Sequence, residues 1–146
     1  MGMYTELVLG IEVNDEPIVI DTLERMLSDK AVVKDVTINH PFFRTTRWSY
    51  MLLSDSYYFD GQTDSKLVHD LRNLSHYLNV RCNLKNYDYE IELFLDWLCP
   101  YIMTEGFLGY MRYEEYADPT LIYKENGKIV YKSPRFCEVI KSFGEK

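Results

Sequence analysis

The alternation of apolar and polar positions predicts a strand and then a helix between His76 and Ile102. From His76 to Lys85 apolar and polar residues alternate over ten positions, which is typical of a strand with one buried and one exposed face. After Asn86-Tyr87-Asp88 the apolar residues recur at the spacing of an amphipathic helix. These residues are Ile91, Phe94, Leu95, Leu98 and Ile102. Asp88 is the predicted N-cap, and Pro100 is predicted to end or kink the helix in its last turn.

The same patterns predict the other elements of the chain. We predict strands at Thr5–Val13, Val32-Val33, Arg47–Leu53, Tyr57–Phe59, Phe107–Tyr113 and Leu121–Tyr131, the last as a hairpin around Asn126-Gly127. Ser54-Asp55-Ser56 is predicted to turn the chain between the third and the fourth of these strands. We predict helices from Pro17 to Leu27, around Leu67 to Leu71, and after Ser133-Pro134 with Phe136, Val139, Ile140 and Phe143 on the apolar side.

This order of elements predicts a single α+β domain over residues 1–146. Strand–helix–strand crossovers with hairpins between them are typical of helices packed on one face of a mostly antiparallel sheet. The specific expectation is a ferredoxin-like fold or a variant of it. Leu78, Val80, Cys82 and Leu84 should then lie beneath the predicted helix, and Arg81 should lie on the exposed face.

Composition and charge narrow the classes of partner. The net charge of −7 argues against extended nucleic acid and anionic membranes as partners, because both need a basic surface. The 13 tyrosines outnumber the 7 phenylalanines, which favours half-buried sheet surfaces and interfaces, a homo-oligomer among them. The alternative is a tyrosine-rich antiparallel sheet without a binding role.

No motif in the chain predicts catalysis, a cofactor or a metal site. The glycine-rich phosphate loop, the nucleophile elbow and HExxH are missing from the sequence, and His40, His69 and His76 are scattered. Glu114, Glu115 and Asp118 could hold a hard cation, but such loops are usually only solvated. The chain is therefore predicted not to be an enzyme.

Cys82, Cys99 and Cys137 have no zinc-like spacing, so we expect reduced thiols in a cytoplasm. No signal peptide or apolar stretch of membrane-spanning length is visible in the sequence, which agrees with a cytoplasmic protein.

Basic and aromatic side chains on the strands form the candidate ligand site. The exposed face of the predicted strand from His76 to Lys85 carries no acid. Arg47 adjoins an aromatic residue in an acid-free run. A guanidinium beside an aromatic ring suits a phosphate and a stacked base. The candidate ligand-binding residues are Arg81, Lys85, Asn83, Tyr77, Arg47, Trp48 and Arg112. We expect Arg81 and Lys85 in a concave or intersubunit site. The alternative is that the arginines pair with carboxylates of the same sheet.

Several segments resemble small uncharacterised proteins of bacteriophages and mobile elements of gut and Gram-positive bacteria. The resemblance lies in RWSYML from Arg47, SYYF from Ser56, NLKNY from Asn83, RYEE from Arg112 and PTLIY from Pro119. It carries no functional residues, and it implies an accessory protein that disables a host defence by binding.

Two functions follow as hypotheses. The first is a non-enzymatic protein of the bacterial cytoplasm that sequesters a small anionic, nucleotide-like ligand on the polar face of the sheet. The second is an inhibitor that blocks a host defence protein through its acidic surface. A thermal-shift screen with nucleotides separates them, because a bound ligand stabilises the folded state.

Overall fold

The computed structural model of the protein describes residues 4–28, 38–134 and 139–142, the last range for the backbone only. Its strands are β1 (Tyr4–Val13), β2 (Lys66–Asp70), β3 (Ser75–Lys85), β4 (Gly106–Tyr113), β5 (Thr120–Glu125), β6 (Lys128–Lys132) and β7 (Val139–Ser142). Its helices are α1 (Pro17–Met26) and α2 (Glu90–Leu98), with short 3-10 turns at Pro41–Arg44, Met51–Leu53 and Cys99–Tyr101. The predicted strand at Val32-Val33, the cysteine Cys137 and the apolar side chains predicted after Pro134 lie outside what is described.

The strands form one sheet in the order β2-β3-β1-β4-β5-β6-β7. Neighbouring strands are antiparallel throughout. Along the chain α1 lies between β1 and β2, and α2 lies between β3 and β4. The predicted α+β class with a mostly antiparallel sheet is therefore confirmed, while the ferredoxin-like topology is not confirmed by these observations.

The core lies between one face of the sheet and the two helices. Leu78, Val80, Cys82 and Leu84 of β3 are at most 3% exposed, and Phe94, Leu95 and Leu98 of α2 are fully buried in the same cluster. The predicted register of β3 is thus confirmed. From α1, Val19, Leu23 and Met26 join this cluster, as the apolar stripe of that helix predicts.

An aromatic cluster fills the core beside α2. Phe42 stands at its centre, with ring centroids 5.4 Å from Phe94 and 6.0 Å from Trp97. Trp48 packs edge-on against Phe43 at 4.9 Å and is only 8% exposed. Trp48, a candidate ligand-binding residue, is therefore a core residue.

The predicted strand at Arg47–Leu53 and its hairpin to Tyr57–Phe59 are wrong. Residues 45–50 form bends and turns, Met51–Leu53 is a 3-10 turn, and residues 54–61 form no strand. The buried residues are Trp48, Met51 and Leu52, which is helical rather than alternating spacing. A single turn of helix therefore directs these side chains into the core.

Two predicted helices are strands in the structure. Leu67–Asp70 belongs to β2, which pairs with β3, and Val139 and Ile140 belong to β7, which pairs with β6. Backbone groups along an unpaired strand edge need hydrogen-bond partners, and β-branched residues fit strands well. Pairing with a neighbouring strand therefore outweighs the helical signal in both segments.

Two turns show how closely local signals predict structure. Asn126 and Gly127 have φ angles of 54° and 76°, so the predicted turn between β5 and β6 is confirmed. Asp88, by contrast, is not the N-cap of α2. Tyr89 takes that position with a left-handed φ of 57° and no capping bond from its own side chain, while the Asn86 side chain accepts from the Ile91 backbone N–H at 2.9 Å.

The helix α2 ends at Leu98, and Pro100 lies in the 3-10 turn that follows. No helix in the described ranges is long and apolar enough to cross a membrane.

Candidate functional site: the polar face and the tyrosine end

The polar face of the sheet lies opposite the helices and carries most of the candidate residues. Across β3, β1 and β4 the register places Asn83 beside Glu6 and Glu6 beside Arg112. Arg81 is paired with Val8, two residues along β1 from Glu6, so Arg81 lies diagonally opposite Glu6 on the same face. Three candidate residues, Asn83, Arg81 and Arg112, therefore surround one carboxylate.

Glu6 forms salt bridges with both arginines. Its carboxylate lies 3.5 Å from Nη1 of Arg81 and 3.8 Å from Nη2 of Arg112. Glu6 is only 6% exposed although it lies on the polar face of the sheet. A buried carboxylate is stable only when it is paired, so the two guanidinium groups compensate its charge. The geometry follows the alternative in which arginines pair with carboxylates of the sheet.

The chain from Ser54 to Asp64, which we call the cover segment, closes this part of the face. Asn83 is 2% exposed; its amide donates to Asp55 at 3.2 Å and accepts from the Ser56 hydroxyl at 2.5 Å. The Asp64 backbone N–H donates to the Arg81 carbonyl at 2.9 Å. Asn83 therefore uses both ends of its side-chain amide inside the protein.

Phe59 anchors the middle of the cover segment. Its ring is 6% exposed and lies 5.1 Å from the Arg112 guanidinium carbon. Gly61 lies directly against the Arg81 side chain. On the other face of β3, burial in the core raises the pKa of the Cys82 thiol, and the carboxylates of Glu6 and Asp55 add to that shift.

Arg47 is paired in the same way on the helix side. Its Nη1 lies 3.2 Å from the carboxylate of Glu90, which is fully buried in the first turn of α2. The guanidinium also lies over the Tyr87 ring, 5.4 Å from its centroid. Arg47 therefore contacts an aromatic ring as predicted, while its charge is matched within the protein.

Lys85 lies apart from these arginines, where β3 ends beside the start of β1. Its ammonium stands 5.8 Å from the centroid of the Tyr4 ring. Tyr77 is near the opposite end of β3, 37% exposed, and paired with Glu12 and Val68. Lys85 and Tyr77 therefore do not join the cluster around Glu6.

Lys85 belongs instead to a surface that we call the tyrosine end. Tyr4 stacks on Tyr58 at 5.4 Å, and Tyr58 stacks on Tyr57 at 4.4 Å. Tyr57, the outermost ring, is 86% exposed. Tyr113 and Tyr116 meet edge-on at 5.3 Å at the end of β4, and Tyr116 is 63% exposed. We define the tyrosine end as this end of the sheet, with Lys85, Tyr4, Tyr57 and Tyr58 on the polar face, Tyr113 on the face of Thr5, and Tyr87 and Tyr116 beside Tyr113.

The carboxylates of Glu114 and Glu115 lie close to the rings of the tyrosine end. Glu114 accepts a hydrogen bond from the Tyr4 backbone at 2.5 Å. The hydrogen bond with Tyr58 raises the pKa of the Tyr57 hydroxyl, and Glu114 adds to the shift. Desolvation raises the pKa of Tyr113, and the charges of Glu115 and Glu114 raise it further. A positively charged group is therefore favoured beside these rings.

Sequence reasoning missed the tyrosine end because its residues are far apart in the chain. Antiparallel pairing brings Tyr4 opposite Lys85 and Thr5 opposite Tyr113. The available signal was a tyrosine beside two of the predicted strands, Tyr4 just before Thr5–Val13 and Tyr113 at the end of Phe107–Tyr113. It becomes informative only once the strand order is known.

Two of the histidines, His69 and His76, contact each other. Nδ1 of His69 lies 2.7 Å from Nδ1 of His76, and Nε2 of His76 lies 2.8 Å from the Asp15 carboxylate. Within the described ranges no group of three His, Cys, Asp or Glu residues could hold a metal ion. Cys82 and Cys99 are free and buried.

Comparison with known protein families, with curated protein sequences and with solved structures gives no match for this chain.

Proposed function

We propose that this protein is a non-enzymatic binding module that contacts a partner protein through the tyrosine end. The observation that carries the proposal is the stack of Tyr4, Tyr58 and Tyr57, whose outer ring is 86% exposed. Tyrosine rings give large contact areas at a low cost in conformational entropy, and they are enriched at protein interfaces. An exposed cluster of such rings supports a docking surface.

The chemistry of the surface favours a basic partner. The faces of the tyrosine rings attract cations, and Glu114 and Glu115 lie beside them. Arginine and lysine side chains of a partner would find a ring and a carboxylate together. The net charge of −7 adds long-range attraction toward such a partner.

The resemblance to phage and mobile-element proteins supplies the biological setting of the proposal. An accessory protein of this kind would act in the cytoplasm of a bacterial host. Its partner would be a host defence protein whose basic surface the tyrosine end covers. Such a protein would inhibit by occupying a site and would need no cofactor.

A nucleotide-like ligand is the second candidate, favoured by the position of Lys85. Its ammonium lies 5.8 Å from the Tyr4 ring, at the inner end of the exposed stack. A phosphate of such a ligand could contact Lys85 beside the Tyr4 ring. This site differs from the predicted one, because Arg81 and Arg112 are paired with Glu6.

The fold that presents this surface is proposed to be an extended ferredoxin-like unit. The order β2-β3-β1-β4 with helices in the two crossovers supports this assignment. The strands β5, β6 and β7 then extend the sheet beyond β4 as a meander.

Substitution of exposed rings tests the proposed docking surface. We expect Tyr57→Ser combined with Tyr116→Ser to weaken partner binding by about tenfold or more, because truncated interface aromatics cost roughly 1 kcal/mol or more each. The immobilised protein is incubated with an extract of a bacterial host, and retained proteins are quantified by mass spectrometry. Tyr77→Ser is the matched control, since this tyrosine lies near the opposite end of β3.

Two outcomes would contradict the proposal. One is a retained partner whose recovery the double variant does not change. The other is a nucleotide that raises the unfolding temperature of the wild type but not of Lys85→Ala, which would favour the second candidate.

A further inference from the structure

The strand β2 ends the described sheet, and no strand within the described ranges pairs with its outer edge. Val68 at its centre is 42% exposed and is paired with Tyr77 of β3, which is 37% exposed. An edge strand presents backbone N–H and C=O groups that can pair with another chain. The outer edge of β2 is therefore a candidate interaction surface.

The sequence of β2 is complementary to itself in the antiparallel direction. It reads Lys66-Leu67-Val68-His69-Asp70, with opposite charges placed symmetrically about Val68. If two copies pair antiparallel with Val68 on the two-fold axis, Lys66 of each copy lies opposite Asp70 of the other. Directly opposed side chains on paired strands interact, and opposite charges stabilise the pairing. A parallel arrangement in register would oppose like charges.

Exposed apolar residues surround the same edge. Leu71 is 85% exposed and Leu74 is 68% exposed in the turn between β2 and β3. On the helix side, a cavity of about 270 Å³ lies beside β2, lined in part by Leu27 of the α1 end and by Leu67 and His69. A second copy paired along β2 would lie against the cavity and near the turn. The exposed Leu71 and Leu74 fit a surface that another molecule covers.

We propose that the protein forms a symmetric homodimer in which two β2 strands pair antiparallel about Val68. The interface is isologous, so each copy contributes the same residues. The sheet then continues from one copy into the other across the two-fold axis. The β2 edge is separate from the tyrosine end, so the dimer does not depend on the proposed function.

Charge reversal at the edge tests the dimer by sedimentation velocity on the full chain. Lys66→Asp places a second carboxylate opposite Asp70 at both symmetric positions, and we expect the dissociation constant of the dimer to rise by about tenfold or more. Lys128→Asp, with the same change of charge on the exposed start of β6, should leave the dimer unchanged. A mixture of Lys66→Asp with Asp70→Lys restores opposite charges at both positions and should form a heterodimer.

Asp70 also accepts hydrogen bonds from the Arg72 backbone and from the Asn73 side chain in the turn after β2. Asp70→Lys removes these bonds as well as the charge, so a second variant that keeps them is tested in parallel. Val68→Lys leaves the turn intact and opposes two lysines on the axis, so it should also weaken the dimer. A wild type that stays monomeric at all measured concentrations overturns the proposal. So does a dimer whose dissociation constant is the same in Lys66→Asp, Val68→Lys and Lys128→Asp.

Discussion

Two buried carboxylates, those of Glu6 and Glu90, determine what the basic side chains of the sheet contact. Glu6 is 6% exposed and Glu90 is fully buried, so each needs a cation within reach. Arg81 and Arg112 serve Glu6, and Arg47 serves Glu90. The charges of these three arginines are consequently balanced within the protein, so a ligand would have to compete with Glu6 or Glu90 for them.

The alternation along β3 predicted which residues share a face, and the structure confirms that register. It could not predict that Glu6 and Asn83 on the polar face would be buried. Burial there depends on the cover segment, which reaches β3 from at least 17 residues away in sequence. Periodicity reports the orientation of a side chain and not what lies over it.

Removing Arg47 should destabilise the protein through the carboxylate that is left behind. We expect Arg47→Ala to lower the free energy of unfolding by about 3 kcal/mol, because Glu90 then remains buried without a charge partner. Arg44→Ala is the matched control, since Arg44 is exposed and bonds only to the Asn39 side chain within the described contacts. Its effect should stay within about 0.5 kcal/mol. Urea unfolding measures both, and equal losses would contradict the assignment.

At the scale of elements, strong local signals identified a helix, a strand and a turn correctly. The stripe of α1, the alternation of β3 and the Asn126-Gly127 turn each match the structure. The strand β7 was predicted as part of a helix because of Ser133-Pro134 and the spacing of Phe136, Val139, Ile140 and Phe143, and β2 was predicted as a helix in a stretch with a poor signal. They become strands by pairing with β3 and β6.

Alanine substitutions at Gly127 and Gly109 should destabilise the protein for different reasons, backbone strain at the first and steric overlap at the second. Gly127 has a φ of 76° with open space where a Cβ would lie, so Gly127→Ala should cost about 1–2 kcal/mol from conformation alone. Gly109 has a φ of 153°, and a Cβ there would overlap the backbone of Val8 in β1. Gly109→Ala should therefore cost more, about 3 kcal/mol or above. Thermal unfolding ranks the two variants, and the reverse order would show that β1 and β4 separate easily.

At the scale of the whole molecule, the sheet divides into a part with helical crossovers and a meander. The sequence predicted one domain and its α+β class, since class follows from the order of elements. It did not predict the tyrosine end. This surface exists only because the start of β1 at Tyr4 lies beside the ends of β3 and β4 at Lys85 and Tyr113. Strand order and register, which no local pattern encodes, create that surface.

The buried thiols should report how the whole molecule opens. Cys82 lies in β3 at 1% exposure, and burial raises its thiol pKa, so its reactive thiolate is scarce. We expect Cys82 to react with an alkylating reagent only when the protein unfolds globally. Cys99, 8% exposed after the end of α2, should react sooner through local opening. Peptide mapping by mass spectrometry gives both rates, and equal rates would mean that β3 opens locally.

The aromatic cluster around Phe42 has an optical consequence. Both tryptophans of the chain, Trp48 and Trp97, lie in it at 8% and 5% exposure. Their rings surround Phe42 and Phe43, so intrinsic tryptophan emission originates from one apolar location. The emission should be blue-shifted and should follow the docking of the Pro41–Arg44 turn onto α2. A fluorescence titration would therefore register unfolding of this cluster while remaining silent to a partner that occupies the tyrosine end.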